Sequence, residues 1–115
     1  MESDKLLFAR ATELMEQEHA YLDVELSLND MAARLGRSRT SLSSVINRET
    51  GRNFSLWVAE YRVKHFIEHA GPSWGIDSKI DYQRHGFSSR SSFYRLFRVI
   101  TECSPHEYFY KHRVG

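Results

Sequence analysis

Twice, about fifty residues apart, this chain repeats one arrangement: a glycine turn, a serine able to start a helix, and a short stretch whose apolar residues recur every three to four positions. The first copy runs Met31-Ala32-Ala33-Arg34-Leu35-Gly36-Arg37-Ser38-Arg39-Thr40-Ser41-Leu42-Ser43-Ser44-Val45-Ile46 and closes at Thr50-Gly51. The second runs Arg84-His85-Gly86-Phe87-Ser88-Ser89-Arg90-Ser91-Ser92-Phe93-Tyr94-Arg95-Leu96-Phe97 and closes at Thr101-Glu102. A turn this short forces the helices it joins to cross and pack on each other, which is how a helix-turn-helix looks in sequence. Two such units predict an all-α chain that reads double-stranded DNA in two neighbouring grooves.

The remaining segments fit that plan. Leu7, Ala11, Leu14 and Met15 form a helical stripe through residues 4–20, with acids on the other faces. Ser27 followed by Asp30 resembles a capping box and opens a helix through Leu28, Met31, Ala32 and Leu35, which Gly36 ends. Ser38 caps the next helix, to Thr50, and Gly51 stands where a helix C-terminus favours positive φ. From Asn53 to about His69 a longer helix is apolar on two sides, Phe54, Trp57, Val58 and Tyr61 on one and Ala59, Val63, Phe66 and Ala70 on the other. A helix apolar on two sides is buried against two neighbours, so it is expected to join and pack on both units.

Gly71-Pro72-Ser73-Trp74-Gly75 is the strongest breaker in the chain. It divides residues 1–70, the first unit with its linker helix, from residues 71–115, the second. Ser104-Pro105-His106-Glu107 combines an N-cap serine, a proline at the first helical position and a glutamate closing the box, and it opens a last helix through Tyr108 and Phe109 to near Arg113. No stretch alternates with period two for long enough to predict a strand.

Composition supports a folded, nucleic-acid-facing chain. With 115 residues, 41% apolar and 13% aromatic, there is enough material for a real interior. No apolar run of membrane-spanning length and no signal peptide are present, so no membrane contact is expected. The single Cys103 excludes an internal disulfide and suits a reducing compartment, so a cytoplasmic location is expected. The net charge of +1 hides an asymmetry: residues 1–33 hold eight acids and two bases, while residues 34–115 hold fourteen bases and seven acids. The positive charge gathers on the repeated phrase, at Arg37, Arg39, Arg48 and Arg52 and then at Arg84, Arg90, Arg95 and Arg98. A solvated basic face is the bland reading, and position within the repeat favours a phosphate-facing one.

These residues resemble the AraC/XylS-type DNA-binding domain, the C-terminal domain of a transcription regulator, over nearly the whole chain. Leu28-x-x-Met31-Ala32-x-x-Leu35-Gly36-x-Ser38, then Leu42, Ile46 and Thr50-Gly51, are similar to the family's first motif. Asn53-Phe54 and Tyr61-Arg62-Val63 resemble parts of its linker helix. Gly86-Phe87-Ser88-Ser89, Ser92-Phe93-Tyr94-Arg95-Leu96-Phe97-Arg98, and Ser104-Pro105 with Tyr108 resemble its second motif. The resemblance implies seven helices in two homeodomain-like helix-turn-helix subdomains, joined by a long helix, with one recognition helix from each entering adjacent major grooves. It also implies a partner region for sensing or dimerisation outside this chain, and no cofactor. Three departures from the pattern cover four positions: Asp81 and Tyr82 replace an apolar residue and an alanine, Glu102 replaces a glycine, and Phe109 replaces an arginine. The first puts the supporting helix of the second unit in doubt unless Ile76 and Ile80 serve by a slipped register. The second places a side chain where positive φ is hard to adopt.

A recognition helix offers base edges its N-terminal side chains and one exposed face. With Leu42, Val45 and Ile46 facing inward, Arg39, Thr40, Ser43, Ser44 and Asn47 face out. Of these, Thr40, Ser43 and Ser44 resemble the family's base-contacting sites. Short hydroxyls there suit shape, water or a thymine methyl, whereas Arg39 suits guanine or a phosphate. In the second unit Phe93, Leu96 and Phe97 face inward, and Arg90, Ser91, Tyr94 and Arg95 occupy positions resembling base contacts. Arg48, Arg52 and Arg98 sit further along and are expected to neutralise phosphates, as are backbone N–H groups at the starts of the helices capped by Ser38 and by Ser88 or Ser89.

Other signals are weaker. His65 and His69 stand four apart on a helix without a third ligand at matching spacing, so no metal site is expected. Cys103 is expected to be a small buried hydrophobe, and Trp57 and Trp74 core residues. No catalytic triad, phosphate loop or paired-carboxylate pattern appears, so no enzyme is expected. The alternative is a degenerate helix-turn-helix acting as a protein-interaction module, for which burial of Arg90 and Arg95 would speak.

Overall fold

The computed structural model describes residues 3–74 and 80–114, and these are helical with no strand among them. Most helices begin on a side chain that accepts from the backbone, because the first N–H groups of a helix have no carbonyl of their own. Ser3 accepts from the Leu6 N–H (3.1 Å) and starts α1, Asp4–Glu16. That helix ends earlier than its apolar stripe suggested: His19 takes a left-handed φ of 54° and turns the chain into a 3₁₀ turn, Ala20–Leu22. Ser27 accepts from the Asp30 N–H (3.1 Å) and opens α2, Leu28–Leu35, which Gly36 closes at φ 69°. Ser38 starts α3, Arg39–Thr50, closed by Gly51. Asn53 accepts from the Leu56 N–H (2.9 Å) and starts α4, Phe54–His69.

Of Ser88 and Ser89, the structure selects Ser89, which accepts from the Ser92 N–H (3.1 Å) and starts α5, Arg90–Thr101. The box before α6, Pro105–Val114, is closed in both directions: the Ser104 hydroxyl accepts from the Glu107 N–H (3.1 Å) and donates to Glu107 Oε1 (3.2 Å).

The apolar side chains divide into two cores. Leu7, Ala11 and Met15 of α1, Met31, Ala32 and Leu35 of α2, Leu42, Val45 and Ile46 of α3, and Phe54, Trp57 and Val58 of α4 form the first. Ala59, Val63 and Phe66 of α4 join Trp74, Phe87, Phe93, Leu96, Phe97 and Phe109 in the second. The division falls between adjacent residues Val58 and Ala59, as the two-sided pattern of α4 requires. Each fully buried large side chain contributes roughly 1.5–3 kcal/mol of transfer free energy. Trp57 and Trp74 are both core, as their positions suggested.

Six α-helices, rather than seven, run through the described residues. Ile76 and the start of the supposed supporting helix of the second unit lie outside them. The described end of that segment is a 3₁₀ turn, Tyr82–His85. Asp81 starts it by accepting from the Gln83 N–H (3.1 Å), a local bond that competes with continued α-helix. Tyr82 supplies the packing instead, stacked on Phe66 (ring centroids 5.9 Å apart) and against Phe93 (4.7 Å).

Glu102 corrects a second expectation. It adopts φ 65°, the left-handed conformation a glycine would take there, at a cost of roughly 1–2 kcal/mol. Neighbouring bonds hold it: its N–H donates to Arg98 O (2.8 Å), and Thr101 Oγ1 donates to Phe97 O (2.8 Å). Cys103, expected to be buried, is only half-buried, with Sγ 3.6 Å from Thr101 Oγ1.

Candidate nucleic-acid interface

The two helices expected to recognise DNA each present an exposed first turn. In α3, Arg39 and Thr40 are exposed, Ser43 is half-buried, and Ser44 and Asn47 are exposed, while Leu42, Val45 and Ile46 are buried beneath them. Ser38 is exposed but its hydroxyl is committed, accepting from the Ser41 N–H (3.1 Å) and donating to Ser41 Oγ (3.0 Å). Asn47 Nδ2 donates to Ser43 O (3.1 Å), which holds the amide along the helix surface. In α5, Arg90, Ser91, Arg95 and Arg98 are exposed and Phe93, Leu96 and Phe97 buried. Tyr94 is half-buried, its ring against Phe93 (5.3 Å) and Trp74 (6.3 Å), with the Arg90 guanidinium over its face at 5.3 Å. That contact orients Arg90 without neutralising it.

The arginines differ in their partners. Arg48 donates to Asp4 Oδ2 (2.8 Å), and Arg37 lies 3.8 Å from Asp4 Oδ1. Arg52 forms an ion pair with Glu60. The acidic N-terminal helix and the linker helix thus reach the basic flank of the first half. Among the described residues no carboxylate is within ion-pair range of Arg39, Arg90, Arg95 or Arg98. Asp4 lay outside the sequence reading because the pair spans forty-four residues and an acid in a first helical turn has a sufficient local reason to be there.

A groove of about 530 Å³ runs beside α5, lined by its Ser92, Arg95, Leu96 and Val99 and by the opening of α4, Asn53 to Leu56. Arg95 therefore stands at the edge between α5 and the start of the linker helix. The molecule is elongated, 51 × 24 × 23 Å. Its long axis exceeds the roughly 34 Å of one B-DNA turn, the separation that two adjacent major grooves demand.

The histidines do not gather as metal ligands: among the described residues no three His, Cys, Asp or Glu side chains are placed to hold an ion. His65 and His69 are ring neighbours (4.2 Å), and His65 Nδ1 instead meets His85 Nδ1 at 2.9 Å. One of the two nitrogens must carry a proton and the other accept it. Burial pushes the pKa of both rings down, that of His85 to about 4, with the neighbouring imidazoles adding to the effect. Burial and the Glu16 carboxylate likewise push the Tyr61 hydroxyl up to about 12. No described helix is long and apolar enough to cross a membrane.

Capped helix pairs, a short glycine turn between α2 and α3, and exposed basic first turns define a helix-turn-helix protein. The family model described as "Helix-turn-helix domain" matches residues 31–111, and the chain belongs to that family, of the AraC type its motifs resemble. It is similar to the "Uncharacterized HTH-type transcriptional regulator YtdP" of Bacillus subtilis (strain 168), 27% identical over 94 residues. That match covers 78% of this chain and 12% of the relative, so the chain spans about an eighth of that relative's length. No solved structure matches the chain.

Proposed function

We propose that this chain binds double-stranded DNA sequence-specifically, as the output module of a transcription regulator, with α3 and α5 as recognition helices in adjacent major grooves. The observation that carries the reading is the pair of capped helices whose first turns expose Arg39-Thr40 and Arg90-Ser91 above fully buried neighbours. Residues 1–70 and 71–115 act as the two units, each with its own core and α4 shared between them. Arg90, Ser91, Tyr94 and Arg95 read bases on one side, Arg39, Thr40, Ser43, Ser44 and Asn47 on the other. Arg48, Arg52 and Arg98, with Ser38 and the first-turn N–H groups, meet phosphates. Catalysis has no part in it, and control comes from a sensing or dimerising region outside this chain, in the cytoplasm. The relative's name as a transcriptional regulator supports the same assignment. Exposure of Arg90 and Arg95 speaks against the alternative of a protein-interaction module.

The test is selection of bound duplexes from a randomised pool at fixed salt, repeated with Arg39→Ala and Arg95→Ala. Each variant is expected to lose preference in one half of the site only, by roughly 1–3 kcal/mol per lost bidentate contact. Negligible affinity of the unaltered chain for any duplex at low salt overturns the proposal.

A further inference from the structure

Two recognition helices specify a composite site only if the distance and rotation between them are fixed. One base pair of slippage displaces the second half-site by about 3.4 Å and turns it by roughly a tenth of a revolution. Alongside the apolar packing of α4 in the second core and the His65–His85 contact, a polar bridge where the two halves meet is centred on one side chain of α4. Arg62 Nε donates to Tyr21 O (2.7 Å) and its Nη2 to Asp23 O (2.8 Å). Both carbonyls belong to the connection between α1 and α2, so one planar guanidinium holds that connection at two points.

The turn leading into α5 closes on the same place. Gly86 follows the 3₁₀ turn Tyr82–His85, at φ 91°, four residues before α5 begins. A Cβ there would lie 2.3 Å from Tyr21 O and 2.7 Å from Arg62 Nε. Gly86 is therefore seated directly on the Arg62–Tyr21 bond, and the first half, the linker helix and the approach to the second recognition helix meet in one contact. The guanidinium is partly buried, with no carboxylate in ion-pair range among the described residues. Burial holds its pKa below the usual arginine value, with Asp23 acting the other way. Hydrophobic packing alone tolerates small sliding. Two hydrogen bonds from one rigid plane do not, because displacement breaks both at once and leaves partly buried donors and carbonyls unmet.

We propose that Arg62 is the positioning residue that fixes the offset between the two recognition helices, and through it the half-site spacing the protein accepts. This rests on the DNA-binding reading above. Lysine at this position keeps the charge but has one flexible nitrogen in place of a two-point fork, so Arg62→Lys is the informative variant, with Arg62→Met as a second. The full chain and both variants are titrated against the selected duplex and against versions with single base pairs added or removed between the half-sites.

The unaltered chain is expected to show one sharp optimum, with on the order of tenfold weaker binding one base pair away. In Arg62→Lys that penalty is expected to fall to about threefold or less. Base preference within each half should be unchanged. A second measurement needs no DNA: spin labels on Glu49→Cys and Val99→Cys, in a Cys103→Ser background, should give a broader distance distribution with Arg62→Lys than without it. An equally sharp spacing profile and an unchanged distance distribution in a variant that merely melts earlier overturn the proposal and leave the DNA reading intact. An unaltered chain that binds no duplex overturns the DNA reading, whatever the labels report.

Discussion

The two halves of this molecule solve the same problem with different materials. The first half supports its recognition helix on a regular α2, with an aliphatic and methionine core of Leu7, Met15, Met31, Leu35, Leu42 and Ile46. The described part of the second half has only the 3₁₀ turn Tyr82–His85 at that place, and its core is aromatic, with Phe66, Phe87, Phe93 and Phe97 fully buried. The charge is distributed unequally too: Arg37, Arg48 and Arg52 face acids, whereas Arg90, Arg95 and Arg98 face none among the described residues. Large interlocking rings pack beneath α5 beside that 3₁₀ turn, and among the described residues its arginines stay clear of carboxylates.

The comparison breaks first, if it breaks, at Phe93. Its ring contacts Phe66 (4.3 Å), Tyr82 (4.7 Å), Phe87 (5.1 Å) and Phe97 (5.5 Å), so Phe93→Ala is expected to cost about 3–5 kcal/mol in urea unfolding. Leu42→Ala, the matching truncation in the first half, is expected to cost less, about 2–4 kcal/mol. Equal costs would mean that the aromatic core has no special role in supporting α5 beside the 3₁₀ turn Tyr82–His85.

Acid should weaken the fold through a group of the second half, His85. The folded state holds His85 at a pKa of about 4, below the ordinary 6.5 of an unfolded histidine, so between those values the unfolded chain binds more protons. Stability from this site is complete above about pH 6.5 and declines as pH falls toward 4, by on the order of 2 kcal/mol. The groups facing the pair are His69, His19, Arg84, Glu68 and Asp81, of which only the two acids favour protonation. Thermal melts across this range, with His85→Gln as the control, should show a slope that the variant loses.

A smaller contrast lies at the two equivalent helix ends, Gly51 at φ 72° and Glu102 at φ 65°. Glu102→Gly should stabilise by about 0.5–1 kcal/mol, and Gly51→Ala should destabilise by about 1 kcal/mol. Paired unfolding curves of the two variants check both signs. The smallest effect concerns charge. Asp4→Asn releases Arg48 and Arg37 and should tighten DNA binding about twofold at low salt, a gain that disappears as salt is raised. An anisotropy titration at two ionic strengths reads it directly.

Local chemistry was legible in the sequence and long-range polar chemistry was not. Ser27, Ser38, Asn53 and Ser104, with Gly36 and Gly51, announced helix ends because a cap and its partner lie three or four residues apart. The inward faces of α3 and α5 followed from period alone. Asp81 and Tyr82 marked a real irregularity, and its outcome, a 3₁₀ turn packed on Phe66, needed a ring from another helix. Glu102 is a residue expected to resist positive φ, and its own N–H donating to Arg98 O, with the Thr101 hydroxyl donating to Phe97 O, holds it there. Arg62 stands in the Tyr61-Arg62-Val63 motif, yet nothing there points to its partners: its acceptors are main-chain carbonyls about forty residues away, and a carbonyl has no residue-type signature. The exposure of the side chains proposed to face DNA follows from their neighbours' burial, but which base each would meet is a property of a complex.

Because Val58 belongs to one core and Ala59 to the other, α4 cannot be half folded. Losing the second half strips Ala59, Val63 and Phe66 bare, and losing the first strips Phe54, Trp57 and Val58 from the same rod. Neither half therefore has a private stability. The chain should melt in a single step, its calorimetric and van't Hoff enthalpies equal, so that damage to either reading head is felt by both.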